Sequence, residues 1–228
     1  MRAIVSTSAK IGFGSPYELN HRELVPFRHD RRCVADFEVL TLACFKQLLG
    51  ETEEISGRGC GLYFAGAKDT LQLDVDFSNE LFDADDRVNA LTTMSEGLNP
   101  LLPLNKLYNI GLYLAAKEGI ECWRHCQYTN HKHADYSALA AAVRDVCSGT
   151  VEVGFAVFAR ASGGFELPQE SIGAVGVRVV ACNEAGDRTS DAVELSARPQ
   201  PELLLELQRL HADGGGAELA VELPDGTC

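Results

Sequence analysis

Cys122, His125, Cys126, His131 and His133 fall within twelve residues, and Lys132 stands between the last two. Imidazoles titrate near neutral pH, so His125, His131 and His133 suit proton transfer. A lysine whose ammonium is desolvated loses its proton more readily and becomes a nucleophile or base, which gives Lys132 a second possible role. The plainer reading is a charged lysine exposed at a helix N-terminus, where the helix dipole disfavours a cation but solvent keeps the cost small. Satisfied structural histidines are the corresponding plain reading of His131 and His133. The same set raises zinc coordination, and two features oppose it. Cys-x3-Cys is not the usual knuckle spacing, and on a strand Cys122 and Cys126 lie about 13 Å apart at ~3.3 Å per residue, too far to share one tetrahedral ion. Helical folding of the segment would reopen that question. We therefore expect no metal here.

The elements around the cluster set its geometry. Residues 120–128 read as a strand, and the alanine-rich stretch 134–147, closed by Ser148-Gly149, reads as a helix. The cluster thus occupies a strand-turn-helix corner, where a nucleophile elbow is expected. Elsewhere residues 2–8 read as a strand ended by Gly12, Gly14 and Pro16, and apolar positions from 34 to 49 repeat with helical spacing up to Gly50. The run 59–66 lies between glycines and suits a buried central parallel strand. Segments 151–158, 174–182, 192–195 and 217–223 read as further strands, and 201–211 as a leucine-rich helix. Pro100 to Lys117 reads as a loop leading into a helix. Residues 68–97 hold eight acidic side chains with no calcium-loop spacing, so this stretch reads as a solvated excursion, with a turn of helix within 79–91. We expect residues 120–128 and 151–158 to be neighbouring strands around one crossover helix. Alternating strands and helices predict an α/β fold with right-handed crossovers, and no internal repeat or linker divides residues 1–228 into more than one domain.

Composition narrows the functional classes. Hydrophobic residues make up 46% and charged residues 23% of 228, an ordinary globular mixture. A formal net charge of −13 repels a phosphate backbone, so nucleic acid is not an expected partner. Docking an acidic carrier protein would need a local basic patch such as Arg28, Arg31 and Arg32, which otherwise reads as a solvated helix entry. No apolar run approaches about 20 residues, so no membrane span is expected. Eight cysteines scattered through apolar segments, with no cleavable leader ahead of the first strand, suggest reduced thiols in a cytoplasmic protein. No Gly-x-Gly-x-x-Gly, P-loop or Gly-x-Ser-x-Gly motif is present, and no cofactor is expected.

The order of local motifs over residues 1–182 resembles the N-terminal half of a β-ketoacyl synthase, a thiolase-fold enzyme of fatty-acid and polyketide assembly. Asp30-Arg31-Arg32 resembles the arginine-marked entry to that family's first long helix. Pro100-Leu-Leu-Pro-Leu-Asn-Lys-Leu-Tyr-Asn109 resembles the segment before the next helix. Gly119-Ile-Glu-Cys122, the helix ending Cys147-Ser-Gly149, the strand from Val151 and the glycine-rich strand Glu170–Val180 follow in the family's order. Each motif is degenerate, so their order carries the resemblance.

The resemblance implies a thiolase-like half-fold with a five-stranded, mainly parallel mixed sheet flanked by helices. Counting back from Ser148-Gly149 puts the family's catalytic cysteine position within one residue of Lys132, so the nucleophile is replaced. The family's catalytic histidines lie in a C-terminal half with no counterpart here. The expected role is a non-condensing accessory subunit of polyketide or fatty-acid biosynthesis. A half-fold would leave faces bare, so it would dimerise with itself or with a larger ketosynthase and meet an acyl carrier protein or acyl thioester. The alternative is a small acyl-handling enzyme that uses Lys132 with His131 and His133.

Overall fold

Runs rich in valine, alanine and glycine form the strands of one sheet, and the longest helically periodic segments lie across its two faces. The computed structural model describes residues 1–13, 20–31, 34, 36–49, 59–67, 110–117, 122, 124–129, 133–161, 172–182, 193–194, 203–214 and 219–222. In chain order these form β1 (Arg2–Gly12), α1 (His21–Leu24), α2 (Arg28–Arg31), α3 (Asp36–Leu49), β2 (Cys60–Ala67) and α4 (Ile110–Lys117). Then follow β3 (Arg124–Thr129), α5 (Ala134–Cys147), β4 (Val153–Arg160), β5 (Gly173–Ala181), β6 (Val193–Glu194), α6 (Leu203–Asp213) and β7 (Leu219–Glu222). The stretches 68–97 and 100–109, including the acidic excursion and the proline-to-asparagine segment, lie outside the described residues, as do Arg32 and residues 119–121.

The sheet has seven strands in the order β3-β2-β4-β5-β1-β7-β6. The α/β fold with a mixed sheet and flanking helices is as expected, but the details differ from a five-stranded, mainly parallel sheet. β7 and β6 extend it, and only β2–β3, β2–β4 and β6–β7 are parallel, whereas β4–β5, β1–β5 and β1–β7 are antiparallel. The expected neighbours β3 and β4 are separated by β2, which pairs with both in parallel. Two consecutive parallel strands joined by a helix need not be adjacent, because the crossover leaves room for a strand supplied earlier in the chain. β2 is thus central and parallel, as its apolar run between glycines predicts.

Strand alternation divides the core into two layers. Tyr63, Ala65, Ala156, Val175, Val177 and Val179 pack under α5 and α6, while Leu62, Phe64, Phe155, Val157 and Ala159 pack under α3 with Ala115 of α4. Both sheet faces therefore carry helices. Among the described residues the exposed large apolar side chains are Met1, Phe27 and Tyr113, so the bare sheet face expected of a half-fold is not seen among them. A β-bulge between Val5 and Thr7 changes which residues of β1 face each layer. Ala3 and Val5 lie under α6 before it, and Ala9 and Ile11 lie under α3 after it. No described helix is long and apolar enough to cross a membrane.

Candidate functional site

The three parallel strands β3, β2 and β4 run in one direction, and the chain passes from the end of β3 at Thr129 into α5 at Ala134. A strand end and a helix start therefore flank the expected corner. His131 and Lys132 lie outside the described residues. His133 occupies the N-cap of α5 and is half-buried; its carbonyl accepts the Ser137 N–H at 3.0 Å and the Ser137 hydroxyl at 3.1 Å. Its side chain makes no capping hydrogen bond to the first turn. His125, grouped with these residues by sequence, lies on β3 with an exposed side chain.

Asp135 takes the place of a cap in the first turn of α5, where a carboxylate suits the positive end of the helix dipole. It is buried, and its Oδ1 accepts the Tyr136 N–H at 2.9 Å. Burial pushes its carboxyl above the ordinary aspartate range, while the N–H groups of Tyr136, Leu203 and Leu204 pull in the opposite direction. Because Leu203 and Leu204 open α6, their N–H dipoles act on Asp135 across the junction of the two helices, although its Oδ2 has no hydrogen-bond partner among the described residues. Sequence reasoning missed it; an aspartate directly after a helix cap, ahead of an otherwise apolar stretch, was the available signal.

A second polar group anchors the same helix to the sheet edge. The Tyr63 hydroxyl, in a ring buried on β2, donates to Asp145 Oδ2 of α5 at 2.6 Å, and Arg124 of β3 pairs with the same oxygen. Burial, followed by the Asp145 hydrogen bond, pushes the Tyr63 phenol well above its ordinary range. A buried polar network with its members paired specifies one arrangement of neighbouring elements. Here it fixes α5 against β2 and β3, and so positions the corner at the other end of that helix.

Among the described residues, the cysteines and histidines weighed for zinc do not converge. Cys122 packs with the cluster under α3 and Cys126 with the cluster under α5, on opposite sides of the sheet. Among the described residues no three Cys, His, Asp or Glu side chains lie close enough to hold one metal ion.

The β1 bulge also creates a contact that the sequence did not suggest. Ser8 Oγ lies 3.0 Å from His211 Nδ1 at the end of α6, and His211 is only 6% exposed. Burial pulls the His211 imidazole below its ordinary value of 6.5. A group whose folded pKa is depressed keeps its full contribution to stability above the unfolded value and loses it as pH falls. Stability of the native protein should therefore exceed its acid-side value above pH 6.5 and fall relative to His211→Gln as pH drops below that point. Urea melts of both proteins across that range test this; parallel pH profiles would contradict it.

No family model matches the sequence, and no curated protein matches it. Solved structures do match in fold. The ishigamide ketosynthase/chain length factor aligns with a TM-score of 0.55 at 11% identity, covering 82% of this chain and 64% of that one. A type II polyketide acyl-carrier protein in complex with its hexaketide-bound ketosynthase gives 0.54 at 11% identity, covering 79% and 62%. A ketosynthase in complex with its chain length factor from Xenorhabdus doucetiae gives 0.53 at 12%, covering 93% and 91%. The chain thus spans less than two thirds of the first two. At such identities the likeness concerns fold, and the fold of this chain is the thiolase-like α/β fold of ketosynthases.

Proposed function

We propose that this chain is a non-condensing, ketosynthase-like accessory subunit that pairs with a larger ketosynthase and assists assembly of an acyl or polyketide chain. The observation that carries the proposal is the corner between β3 and α5. The fold resembles ketosynthases, yet residues 129–137 contain no cysteine where that family places its nucleophile. A chain with this scaffold and no thiol at the elbow supplies surface rather than covalent catalysis. Two of the similar structures hold a ketosynthase with a chain length factor, and one holds a ketosynthase with its acyl-carrier protein. These are the partner classes the proposal carries over.

Among the described residues β3 pairs only with β2 and so forms an edge of the sheet, with exposed Arg124 and His125. An open strand edge is a ready template for a partner chain. Co-expression with each ketosynthase of the source organism, followed by light scattering, should give a defined heteromer with one of them. A chain that remains monomeric beside every one, without forming a homodimer, would refute the assembly.

The second reading, an acyl-handling enzyme, is favoured by the density of ionisable groups at the same corner. Lys132 would serve as nucleophile or base, with His131 and His133 as proton carriers. Fold alone does not choose between the two.

A further inference from the structure

Two thiols meet at the end of β2 and β3 opposite the corner. Cys60 is the first residue of β2 and is fully buried, and Cys122 lies two residues before β3 and is half-buried. The parallel register aligns Gly61 with Arg124 and so places Cys122 one position before the residue that faces Cys60. Both residues pack in the apolar cluster under α3, and their side chains share a hydrogen bond. With strands about 4.8 Å apart and ~3.3 Å between successive residues, that diagonal offset is roughly 6 Å, inside the roughly 4.4–6.8 Å Cα separation that a disulfide spans.

We propose that Cys122 and Cys60 form a dithiol modification site, in which Cys122 is oxidised by a small-molecule disulfide such as oxidised glutathione and Cys60 resolves the adduct into a Cys60–Cys122 bond. The Cys122 thiolate attacks one sulfur of the glutathione disulfide, whose S–S bond breaks and releases glutathione thiolate, which takes a proton. Cys60 then gives up its proton and attacks Cys122 Sγ, forming the protein disulfide and expelling the second glutathione as thiol. Two protein thiols are oxidised and one glutathione disulfide is reduced to two glutathiones.

The environments of the two sulfurs divide these roles. The hydrogen bond from Cys60 holds the Cys122 thiol below its ordinary value, whereas that same bond and burial push Cys60 far above it. The more acidic and accessible sulfur attacks first, because the thiolate is the nucleophile. Exposure alone would select otherwise. Cys147 is exposed, yet partial desolvation of its sulfur raises that thiol, and burial pushes Cys44 up strongly. The bond would clip the entry of edge strand β3 to β2, so oxidation would stiffen the strand that leads into the 131–133 cluster.

The test is incubation of the full chain in glutathione redox buffer near neutral pH, alkylation of remaining thiols, and peptide mapping by mass spectrometry. The linked Cys60–Cys122 peptide should appear before any adduct on Cys147. Cys60→Ser should leave a persistent glutathione adduct on Cys122, and Cys122→Ser should leave Cys60 reduced. A persistent adduct on Cys122 of the native chain without the linked peptide would overturn the proposal. So would full modification of Cys147 while Cys60 and Cys122 can still be alkylated; both outcomes are read on the native protein, independently of how the variants fold.

Discussion

Given acyl and malonyl thioesters of coenzyme A or of an acyl carrier protein, the purified chain is expected to form no carbon–carbon bond. Condensation in ketosynthases begins with transfer of the acyl group to a cysteine at the turn before a buried helix. The turn proposed to correspond to it lies between β3 and α5, and residues 129–137 read Thr-Asn-His-Lys-His-Ala-Asp-Tyr-Ser. On the proposed correspondence with ketosynthases, His131, Lys132 and His133 stand in sequence across the positions where the thiol is expected. Cys126 is the nearest cysteine, and it lies inside β3, packed against the core under α5. The measurement is product release followed by mass spectrometry, with a complete ketosynthase as positive control. β-Ketoacyl product from the chain alone would overturn the argument from the missing thiol.

The same assay separates the two functional readings. If the chain hydrolyses or transfers acyl groups, His131→Ala and Lys132→Ala should each abolish that activity, since loss of a positioned acid, base or nucleophile costs roughly 10²–10⁴-fold. Neither change should alter the urea midpoint, because the network that anchors α5 runs through Asp145, Tyr63 and Arg124 at its other end. Unchanged turnover in both variants would instead support the accessory subunit.

Phe155→Ala should have the largest effect on stability, lowering it by about 3–5 kcal/mol. Phe155 is fully buried on β4, and its ring meets that of Phe45 edge-on, with centroids 4.9 Å apart. Its strand is hydrogen-bonded on both sides, to β2 and β5, so the backbone has little freedom to collapse into the hole. Whole domains have only about 5–15 kcal/mol in hand, so this one truncation removes a large share. Phe27→Ala is the control: that ring is 57% exposed and carries Lys117 Nζ 5.0 Å from its centroid, a contact of about 1 kcal/mol or less. Equal urea midpoints for the two variants would place the core elsewhere.

Several elements could be read from sequence because their signals are local. Helix α5 matches its predicted span from Ala134 to Cys147, where a long alanine-rich apolar stretch is bounded by the corner and by Gly149, whose φ of 71° suits glycine. The strands β4 and β5 emerge within two residues of their expected limits, since continuous apolar runs of that length suit a buried strand. The corner itself, with His133 at its helical end, follows from the change of period on either side. Strand order was not readable in this way. β2 sits between β3 and β4, and β5 turns antiparallel to β4, because pairing depends on which faces bury one another across long stretches of chain.

The polar contacts show the same division more sharply. Ser8 and His211 are 203 positions apart and meet only because one inserted residue in β1 changes the face that Ser8 presents. The N–H dipoles that open α6 act on Asp135 only after that helix docks beside α5. Cys60 and Cys122 share a hydrogen bond because two parallel strands enter the sheet at one level, while Cys122 and Cys126, close in sequence, are sent to opposite faces. Sequence alone determined the types of the main elements and the residues gathered at the corner, through periodicity and turn chemistry. Only the tertiary structure decided which polar groups become partners, since a hydrogen bond requires distances of about 3 Å that chain separation cannot specify.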